Sequence, residues 1–168
     1  MSDIQSMAGK VAIVTGAGGD VGAAACRQFL GAGASVLAVD RNADALARLL
    51  QTLEGDRLEV HVANVSLESD VAGYVKHAAD RFGGIDYLFN NAGIEGRGTG
   101  LWAPIPEVEL AEFEEVIAVN ARGVFLGLKH AVPLIAERRG AVVNTASIWG
   151  IKSSRGQIAY VASKHAVS

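Results

Sequence analysis

The sequence predicts an α/β fold in which helices cover both faces of a doubly wound parallel sheet. Short apolar segments rich in β-branched residues alternate along the chain with longer segments of helical periodicity. This alternation is typical of parallel sheets, because a helix usually makes the crossover between two parallel strands. Polar residues stand at or just after the ends of the apolar segments, where they would converge on one crevice at the carboxyl edge of the sheet. They are Thr15, Asp40, Asn64, Asn90 and Ser147.

Five strands are predicted from their length and composition. The first, KVAIVT at residues 10–15, is a short apolar run, which indicates a buried strand. The second, SVLAVD at residues 35–40, has the same character and ends in an acid. The remaining three cover residues 58–65, 87–90 and 141–145.

Helices are predicted between these strands, and several have recognisable ends. Asn42 and Ser66 precede helical segments that run to Leu53 and Phe82, and side chains of this type cap helix N-termini. Gly83, followed by a second glycine, ends the latter helix. The other helices run from the glycine-rich segment to about residue 32, from about 107 to 136 and from about 157 onward, and a loop rich in Gly and Pro occupies residues 94–106.

Composition indicates one globular domain over residues 1–168. Half of the 168 residues are hydrophobic and a fifth are charged, which is ordinary for a chain with a sizeable core. The net charge of −3 and the absence of a basic run argue against a nucleic-acid or membrane-surface partner. The single cysteine, Cys26, is predicted to be a buried structural thiol, which fits a reducing cytoplasm. The four histidines show no metal-ligand spacing, so no metal site is predicted.

A glycine-rich turn between the first strand and the first helix has the features of a phosphate site. Its sequence is Gly16-Ala17-Gly18-Gly19-Asp20-Val21-Gly22. Glycines let the backbone approach a pyrophosphate, and the helix N-terminus supplies N–H donors and the positive end of a dipole. A tight turn without a ligand is the alternative. The flanking strand and helix, and the acid that ends the next strand, favour a dinucleotide site.

Asp40 follows Gly16 by twenty-four residues and is placed to accept hydrogen bonds from an adenosine ribose diol. A carboxylate there would repel a 2′-phosphate, so NAD is favoured over NADP as the cofactor. Arg41 weakens this preference, because a guanidinium can pair with a phosphate. A solvated strand end or a helix cap is the alternative interpretation of Asp40.

The segment from residue 147 to residue 164 carries side chains suited to proton transfer. Tyr160 and Lys164 are four residues apart and would share one face of a helix. An ammonium close to a phenol lowers the tyrosine pKa from its ordinary value of about 10, so the phenol could exchange a proton with an alcohol or a ketone. Ser147 could hold the substrate oxygen against the tyrosine. The spacing alone is weak evidence, because a solvated lysine beside a half-buried tyrosine gives the same pattern.

Taken in order, these stretches resemble the short-chain dehydrogenase/reductase family of the single-domain type. The matching segments are TGAGGDVG (15–22), VD (39–40), NV (64–65), NNAG (90–93), VNARGVF (119–125), Ser147 and YVASK (160–164). The resemblance implies a Rossmann-like sheet with strand order 3-2-1-4-5. It also implies an NAD(P)-dependent oxidoreductase that interconverts a secondary alcohol and a ketone by hydride transfer. Full-length members would form homodimers or homotetramers.

The resemblance further implies roles for individual residues. Tyr160 would be the general acid and base, and Ser147 would position the substrate oxygen. Lys164 would lower the tyrosine pKa and bind the nicotinamide ribose, while Asn120 would hold a water that links Lys164 to solvent. The residues implied in cofactor binding are Gly16, Gly18, Gly19, Asp20, Val21, Gly22, Asp40, Arg41, Asn64, Val65, Asn91, Ala92, Gly93, Tyr160 and Lys164.

The sequence departs from the family pattern at three points. Asp20 stands where a glycine is common and is predicted to cap the following helix, where its carboxylate would compete with the pyrophosphate for the dipole. The adenine contact, commonly an aspartate, is here Asn64 beside Val65, a change expected to have a small effect. Family members continue beyond the lysine with two further strands, whereas this chain stops four residues after Lys164. We therefore expect a truncated or partial chain, or a fragment lacking part of its site.

Two other functions fit parts of the sequence. A non-catalytic nucleotide-binding fragment of the same fold would keep the glycine-rich turn without hydride transfer. Sugar-nucleotide epimerases and dehydratases share the Y-x-x-x-K spacing, but the NNAG stretch and the compact spacing disfavour them. A hydrolase nucleophile is also disfavoured, since no G-x-S-x-G surrounds Ser147. Four loop residues could line a substrate pocket or only pack their loops: Arg97, Trp102, Ile148 and Trp149.

Overall fold

A parallel five-stranded sheet organises the chain, in the predicted order β3-β2-β1-β4-β5. The structure is a computed structural model that describes residues 6–53, 55–96 and 103–168. In the central strands Ile13 pairs with Leu37 on one side and with Leu88 on the other. The strands are β1 Val11–Thr15, β2 Ser35–Asp40, β3 Leu58–Val62, β4 Tyr87–Asn90 and β5 Ala141–Asn144.

Helices connect the strands as the alternating pattern predicts. The α-helices are α1 Asp20–Gly31, α2 Ala43–Thr52, α3 Glu68–Phe82, α4 Leu110–Ile117, α5 Gly123–Glu137 and α6 Ile158–His165. Short 3₁₀ turns occupy Ile105–Glu107 and Ile148–Gly150, and a π-helical turn, Ala118–Arg122, joins α4 to α5. None of the helices in the described part of the chain is long and apolar enough to cross a membrane.

The core lies on both faces of the sheet, which confirms the doubly wound arrangement. Ile13 packs with residues of α3 and α5, while its neighbour Val14 packs with residues of α1 and α2 on the other face. This alternation follows from the two-residue period of a strand. Cys26 of α1 is fully buried as predicted, and desolvation by burial raises the pKa of its thiol to about 12.

Two helix ends form as predicted, each through a distinct local device. The Asn42 side chain accepts a hydrogen bond from Ala45 N at 3.1 Å and so caps α2. Gly83 ends α3 with a φ of 79°, a backbone conformation that glycine adopts without a Cβ clash. The residues at these two positions therefore fix where α2 begins and where α3 ends.

The predicted cap at Ser66 is wrong, and β3 is shorter than predicted. The strand ends at Val62, and the chain turns at Asn64, whose N–H donates to Asp70 Oδ2 at 2.9 Å. Asn64 Oδ1 accepts hydrogen bonds from both the N–H and the hydroxyl of Ser66. Because the serine hydroxyl is used in this turn, α3 begins after Leu67 without a side-chain cap.

The predicted cap at Asp20 is also wrong. Gly19 is the cap residue of α1 and Asp20 is the first residue of the helix, where its carboxylate makes no capping bond. The single helix predicted over residues 107–136 is likewise divided. Val108 and Glu109 are extended, so α4 starts only at Leu110. The π-helical turn then separates α4 from α5 with one extra residue in the turn.

Candidate active site

The glycine-rich turn packs tightly against the segment that follows β4. A Cβ placed on Gly16, whose φ is 66°, would lie 2.8 Å from Ala92 Cα. A Cβ on Gly22 would lie 2.2 Å from Gly16 O, so α1 begins in direct contact with the turn. Asp20 and Val21, the first two residues of α1, are exposed. Glycine is therefore required here for close approach of backbone to backbone.

Asp40 is joined to the glycine-rich turn by a hydrogen bond. Its Oδ2 accepts from Gly18 N at 2.9 Å, and its Oδ1 accepts from Asn42 N at 2.9 Å. Each carboxylate oxygen therefore keeps a lone pair for a further donor. The neighbouring Arg41 extends towards α4, where its Nη1 lies 3.7 Å from Glu115 Oε1.

A cleft opens beside these residues at the carboxyl edge of the sheet. Its cavity of about 90 Å³ is bounded by the ends of β1 and β2, the segment after β3, the NNAG segment and the π-helical turn. The structure thus brings together residues that the sequence scatters over more than a hundred positions. The lining residues are Gly16, Asp40, Arg41, Ala63, Asn64, Val65, Ala92, Gly93, Ile94 and Val119.

Asn91 ties the NNAG segment to the first strand. Its Nδ2 donates to Thr15 O at 3.2 Å and to Gly16 O at 3.4 Å. Thr15 Oγ1 accepts in return from the backbone N–H groups of Asn91 and Ala92, at 3.0 and 3.1 Å. These four bonds fix the edge of the cleft from both sides.

Lys164 of α6 is buried beside Gly93, a residue of the cleft wall. Its Nζ donates to Thr145 O at 2.6 Å and lies 5.6 Å from the centroid of the Tyr160 ring. Desolvation by burial lowers the pKa of its ammonium. A Cβ on Gly93 would lie 3.6 Å from Lys164 Nζ, so the cleft wall contacts the ammonium at this residue.

Asn120 is buried in the π-helical turn and holds three segments together. Its Oδ1 accepts from Ile94 N at 2.8 Å, and its Nδ2 donates to Ile94 O at 2.8 Å and to Ser163 Oγ at 2.9 Å. Ser163 Oγ then donates to Tyr160 O at 2.7 Å. The side chain therefore positions α6 and the segment after NNAG, and its expected water-holding role stays a prediction.

Ser147 follows β5 and begins the 3₁₀ turn Ile148–Gly150. Its Oγ accepts from Trp149 N at 3.2 Å, which leaves the hydroxyl hydrogen available to a substrate oxygen. A Cβ on Gly150 would lie 2.7 Å from Lys164 O, so this turn packs directly against the helix that carries the lysine. Ile148 is exposed and Trp149 half-buried beside it, whereas Arg97 and Trp102 lie outside the described residues.

Sequence comparison matches this arrangement to a known family. A family model described as short chain dehydrogenase matches residues 10–168. The chain belongs to this family. Levodione reductase of Leifsonia aquatica is 39% identical over 163 residues, which cover 94% of this chain and 60% of that protein. 3beta-Hydroxysteroid dehydrogenase 2 of Eggerthella lenta is 41% identical, over 96% of this chain and 62% of that protein.

Structural comparison supports the same assignment. The crystal structure of 3-ketoacyl-(acyl-carrier-protein) reductase from Brucella melitensis, complexed with NADH, superposes with a TM-score of 0.88 at 33% identity. The match covers 96% of this chain and 67% of that one. The chain spans 60% to 62% of the length of the two curated relatives above.

None of the four histidines lines the cleft. His77 Nε2 lies 2.8 Å from Glu59 Oε2, and His130 Nε2 lies 3.1 Å from Glu68 Oε1. Within residues 6–53, 55–96 and 103–168, no group of three or more His, Cys, Asp or Glu side chains is arranged to hold a metal ion.

Three contributors to the site were not predicted from the sequence. Ile94 offers only its backbone, and Ser163 lies between the two motif residues of α6, so neither gives a sequence signal. Thr145 does give one, because it is a polar residue directly after β5. Its position matches the strand-end pattern of the predicted crevice residues.

Proposed function

We propose that the chain supplies the dinucleotide site and the proton-transfer residues of an oxidoreductase that interconverts a secondary alcohol and a ketone. The observation that carries the proposal is the buried Lys164 ammonium, which lies 5.6 Å from the Tyr160 ring centroid and beside Gly93, a residue of the cleft wall. A cation beside a phenol stabilises a phenolate. The relatives of this chain include a reductase and a dehydrogenase.

The cleft fits a nicotinamide dinucleotide. Gly16 and Gly93 mark two places where a Cβ would fill space against the cleft wall, and the backbone N–H groups in the first turn of α1 have no acceptor within the helix. Asp40 retains acceptor capacity for ribose hydroxyls after its two backbone bonds. Asn64 and Val65 line the cleft, where they would contact the adenine.

NAD is the proposed cofactor rather than NADP. The Asp40 carboxylate would repel a 2′-phosphate, and the neighbouring Arg41 is directed to Glu115 on α4. The related reductase from Brucella melitensis was crystallised with NADH, which supports the same choice.

The chain's own residues would divide the proton chemistry among them. Tyr160 would exchange the proton with the substrate oxygen, and Ser147 would orient that oxygen through its unused hydroxyl hydrogen. Lys164, held by Thr145 O, would supply the positive charge that the phenolate needs. The nicotinamide supplies the hydride chemistry when bound.

The test combines binding with one isosteric substitution. NAD⁺ and NADP⁺ are titrated calorimetrically, and turnover is measured over a panel of secondary alcohols that includes hydroxysteroids. Tyr160→Phe is expected to lower turnover by at least about a hundredfold, because the proton-transfer group is lost, and to change NAD⁺ affinity less than twofold.

The matched control is Tyr74→Phe, which removes the same hydroxyl from the core. Tyr74 OH is buried and has no hydrogen-bond partner among the described residues, so this variant is expected to keep full turnover. Absence of NAD(H) binding would refute the proposal. Binding without turnover in the unmodified chain would support the non-catalytic alternative.

A further inference from the structure

Thr145 uses all three of its polar groups towards the candidate site. Its N–H donates to Asn90 O at 2.9 Å, and its hydroxyl donates to Asn91 Oδ1 at 3.1 Å. Its carbonyl accepts from Lys164 Nζ at 2.6 Å. One residue therefore contacts both the NNAG segment and the buried ammonium.

The contacts continue from Asn91 to the glycine-rich turn. Asn91 Nδ2 donates to Thr15 O at 3.2 Å and to Gly16 O at 3.4 Å. The carboxamide is packed there, since a Cβ on Gly16 would lie 3.1 Å from the same Nδ2. A continuous path of hydrogen bonds thus joins Lys164 to Gly16 through Thr145 and Asn91.

The Thr145 hydroxyl gives the Asn91 carboxamide a defined orientation. An amide has one acceptor side and one donor side. With the oxygen held by the hydroxyl, the NH₂ group faces the carbonyls of Thr15, at the end of β1, and of Gly16, at the start of the glycine-rich turn. Without the hydroxyl the amide oxygen loses its partner in a half-buried place, and the amide is held from one side only.

We propose that Thr145 is a positioning residue, whose hydroxyl holds the Asn91 carboxamide against the glycine-rich turn and so ties the dinucleotide site to the lysine-bearing helix. This inference rests on the proposed dinucleotide function. The Thr145 side chain then contributes to the affinity for NAD⁺, and the Thr145 carbonyl holds Lys164 in position.

The experiment compares Thr145→Val, which keeps the shape and removes the donor, with Thr145→Ser, which keeps the donor. NAD⁺ affinity is measured calorimetrically well below the unfolding temperature, and amide hydrogen exchange of residues 16–22 is measured without ligand. We expect the valine variant to raise the Kd about fivefold, the loss of one neutral hydrogen bond. We also expect faster exchange in the turn, with the serine variant within twofold of the unmodified chain in both measurements.

Two further readouts separate positioning from general destabilisation. The pH profile of kcat is expected to stay unchanged in the valine variant, because the Lys164 bond is made to the backbone carbonyl. In an Asn91→Ala background, Thr145→Val is expected to change the Kd less than twofold, since the side-chain acceptor is already gone.

Unchanged affinity and exchange in Thr145→Val would overturn the inference while leaving the proposed function intact. So would a fivefold effect that persists in the Asn91→Ala background. An unmodified chain that binds no NAD⁺ would overturn the proposed function, and with it the assigned affinity.

Discussion

The two ends of the parallel sheet differ in how their buried charges are balanced. At the amino end, the buried Asp86 carboxylate accepts from Lys10 Nζ at 2.9 Å, from Val11 N at 2.9 Å and from Arg138 Nε at 3.1 Å. At the carboxyl end, the buried Lys164 ammonium has no carboxylate partner among the described residues. Its hydrogen bond in the described part of the chain goes to a carbonyl.

The pKa shifts express this difference. Burial opposes the charge of Asp86, yet the hydrogen bonds from Lys10, Arg138 and Val11 outweigh it and hold the pKa of that carboxyl below its usual value. Burial also opposes the charge of Lys164, and desolvation lowers the pKa of this ammonium, since the described residues place no opposite charge beside it. A compensated buried charge holds the fold together, whereas an uncompensated one is typical of a functional site.

The largest expected effect is on stability at the amino end. Asp86→Asn keeps the shape but leaves Lys10 and Arg138 without their buried counter-charge, so we expect a loss of about 3 kcal/mol in the free energy of unfolding. Urea unfolding at neutral pH measures it. The control Glu68→Gln removes an exposed carboxylate paired with Lys129, and we expect little change because solvent screens that pair.

The acid limb of the pH–stability curve, in which the free energy of unfolding falls as the pH is lowered, gives a second check on Asp86. Because its folded pKa is below the unfolded value of about 3.9, its contribution is present above that pH and is lost as the pH falls through the lowered value. We therefore expect Asp86→Asn to flatten the acid limb. An equally steep limb in the variant would show that Asp86 is not charge-stabilised.

The second largest expected effect is a loss of stability at the carboxyl end of the sheet, where close backbone packing rather than charge would stabilise the fold. Gly22→Ala would place a Cβ 2.2 Å from Gly16 O and 2.7 Å from Ala17 Cα, both backbone atoms that cannot move aside. We expect a loss of about 2 kcal/mol from overpacking, measured by urea unfolding.

Gly19→Ala is the matched control in the same turn. Its Cβ would lie 3.6 Å from the nearest atom, and the Gly19 backbone is extended with a φ of −89°. We expect a change in unfolding free energy within about 0.5 kcal/mol. Equal losses in the two variants would contradict the packing account.

Much of the fold could be predicted because its signals are local. β-Branched runs, the Asn42 cap and the glycine at position 83 each act within a few residues, and the structure confirms all of them. The π-helical turn could not be predicted, since hydrophobic periodicity does not register one inserted residue. The Ser66 cap failed because Asn64, two residues away, takes the serine hydroxyl into its own turn.

Some features of the candidate site could also be predicted from local sequence, and others could not. Tyr160 and Lys164 could be paired from their spacing, and the strand-end rule placed Asp40 at the cleft. The contacts of Asn120 with Ile94 and Ser163 depend on tertiary packing between segments distant in sequence, which no local pattern reports. The predicted cap at Asp20 failed locally, because Gly19 takes the capping position one residue earlier.

Among the test substitutions, the smallest expected stability effect concerns Lys164, which is buried like Asp86. Lys164→Met removes a desolvated charge and also leaves Thr145 O without its donor, so the two terms oppose each other. We expect the free energy of unfolding at neutral pH to change by no more than about 1 kcal/mol in either direction, measured by urea unfolding. A loss as large as that of Asp86→Asn would mean that the ammonium is a structural charge, and the contrast between the two ends would fail.

The alkaline limb sharpens this last comparison, because a lowered pKa makes stability rise with pH for both groups, although the fold favours the charged form of Asp86 and the neutral form of Lys164. The folded pKa of Lys164 lies below the unfolded value of about 10.4, so between the two the unfolded chain binds more protons. Lys164 therefore makes stability rise with pH across that window, and Lys164→Met is expected to abolish the rise. Lys76→Met, at an exposed lysine paired with Asp80, is the control that should leave the rise in place. A rise that survives in Lys164→Met would show that burial does not penalise this charge.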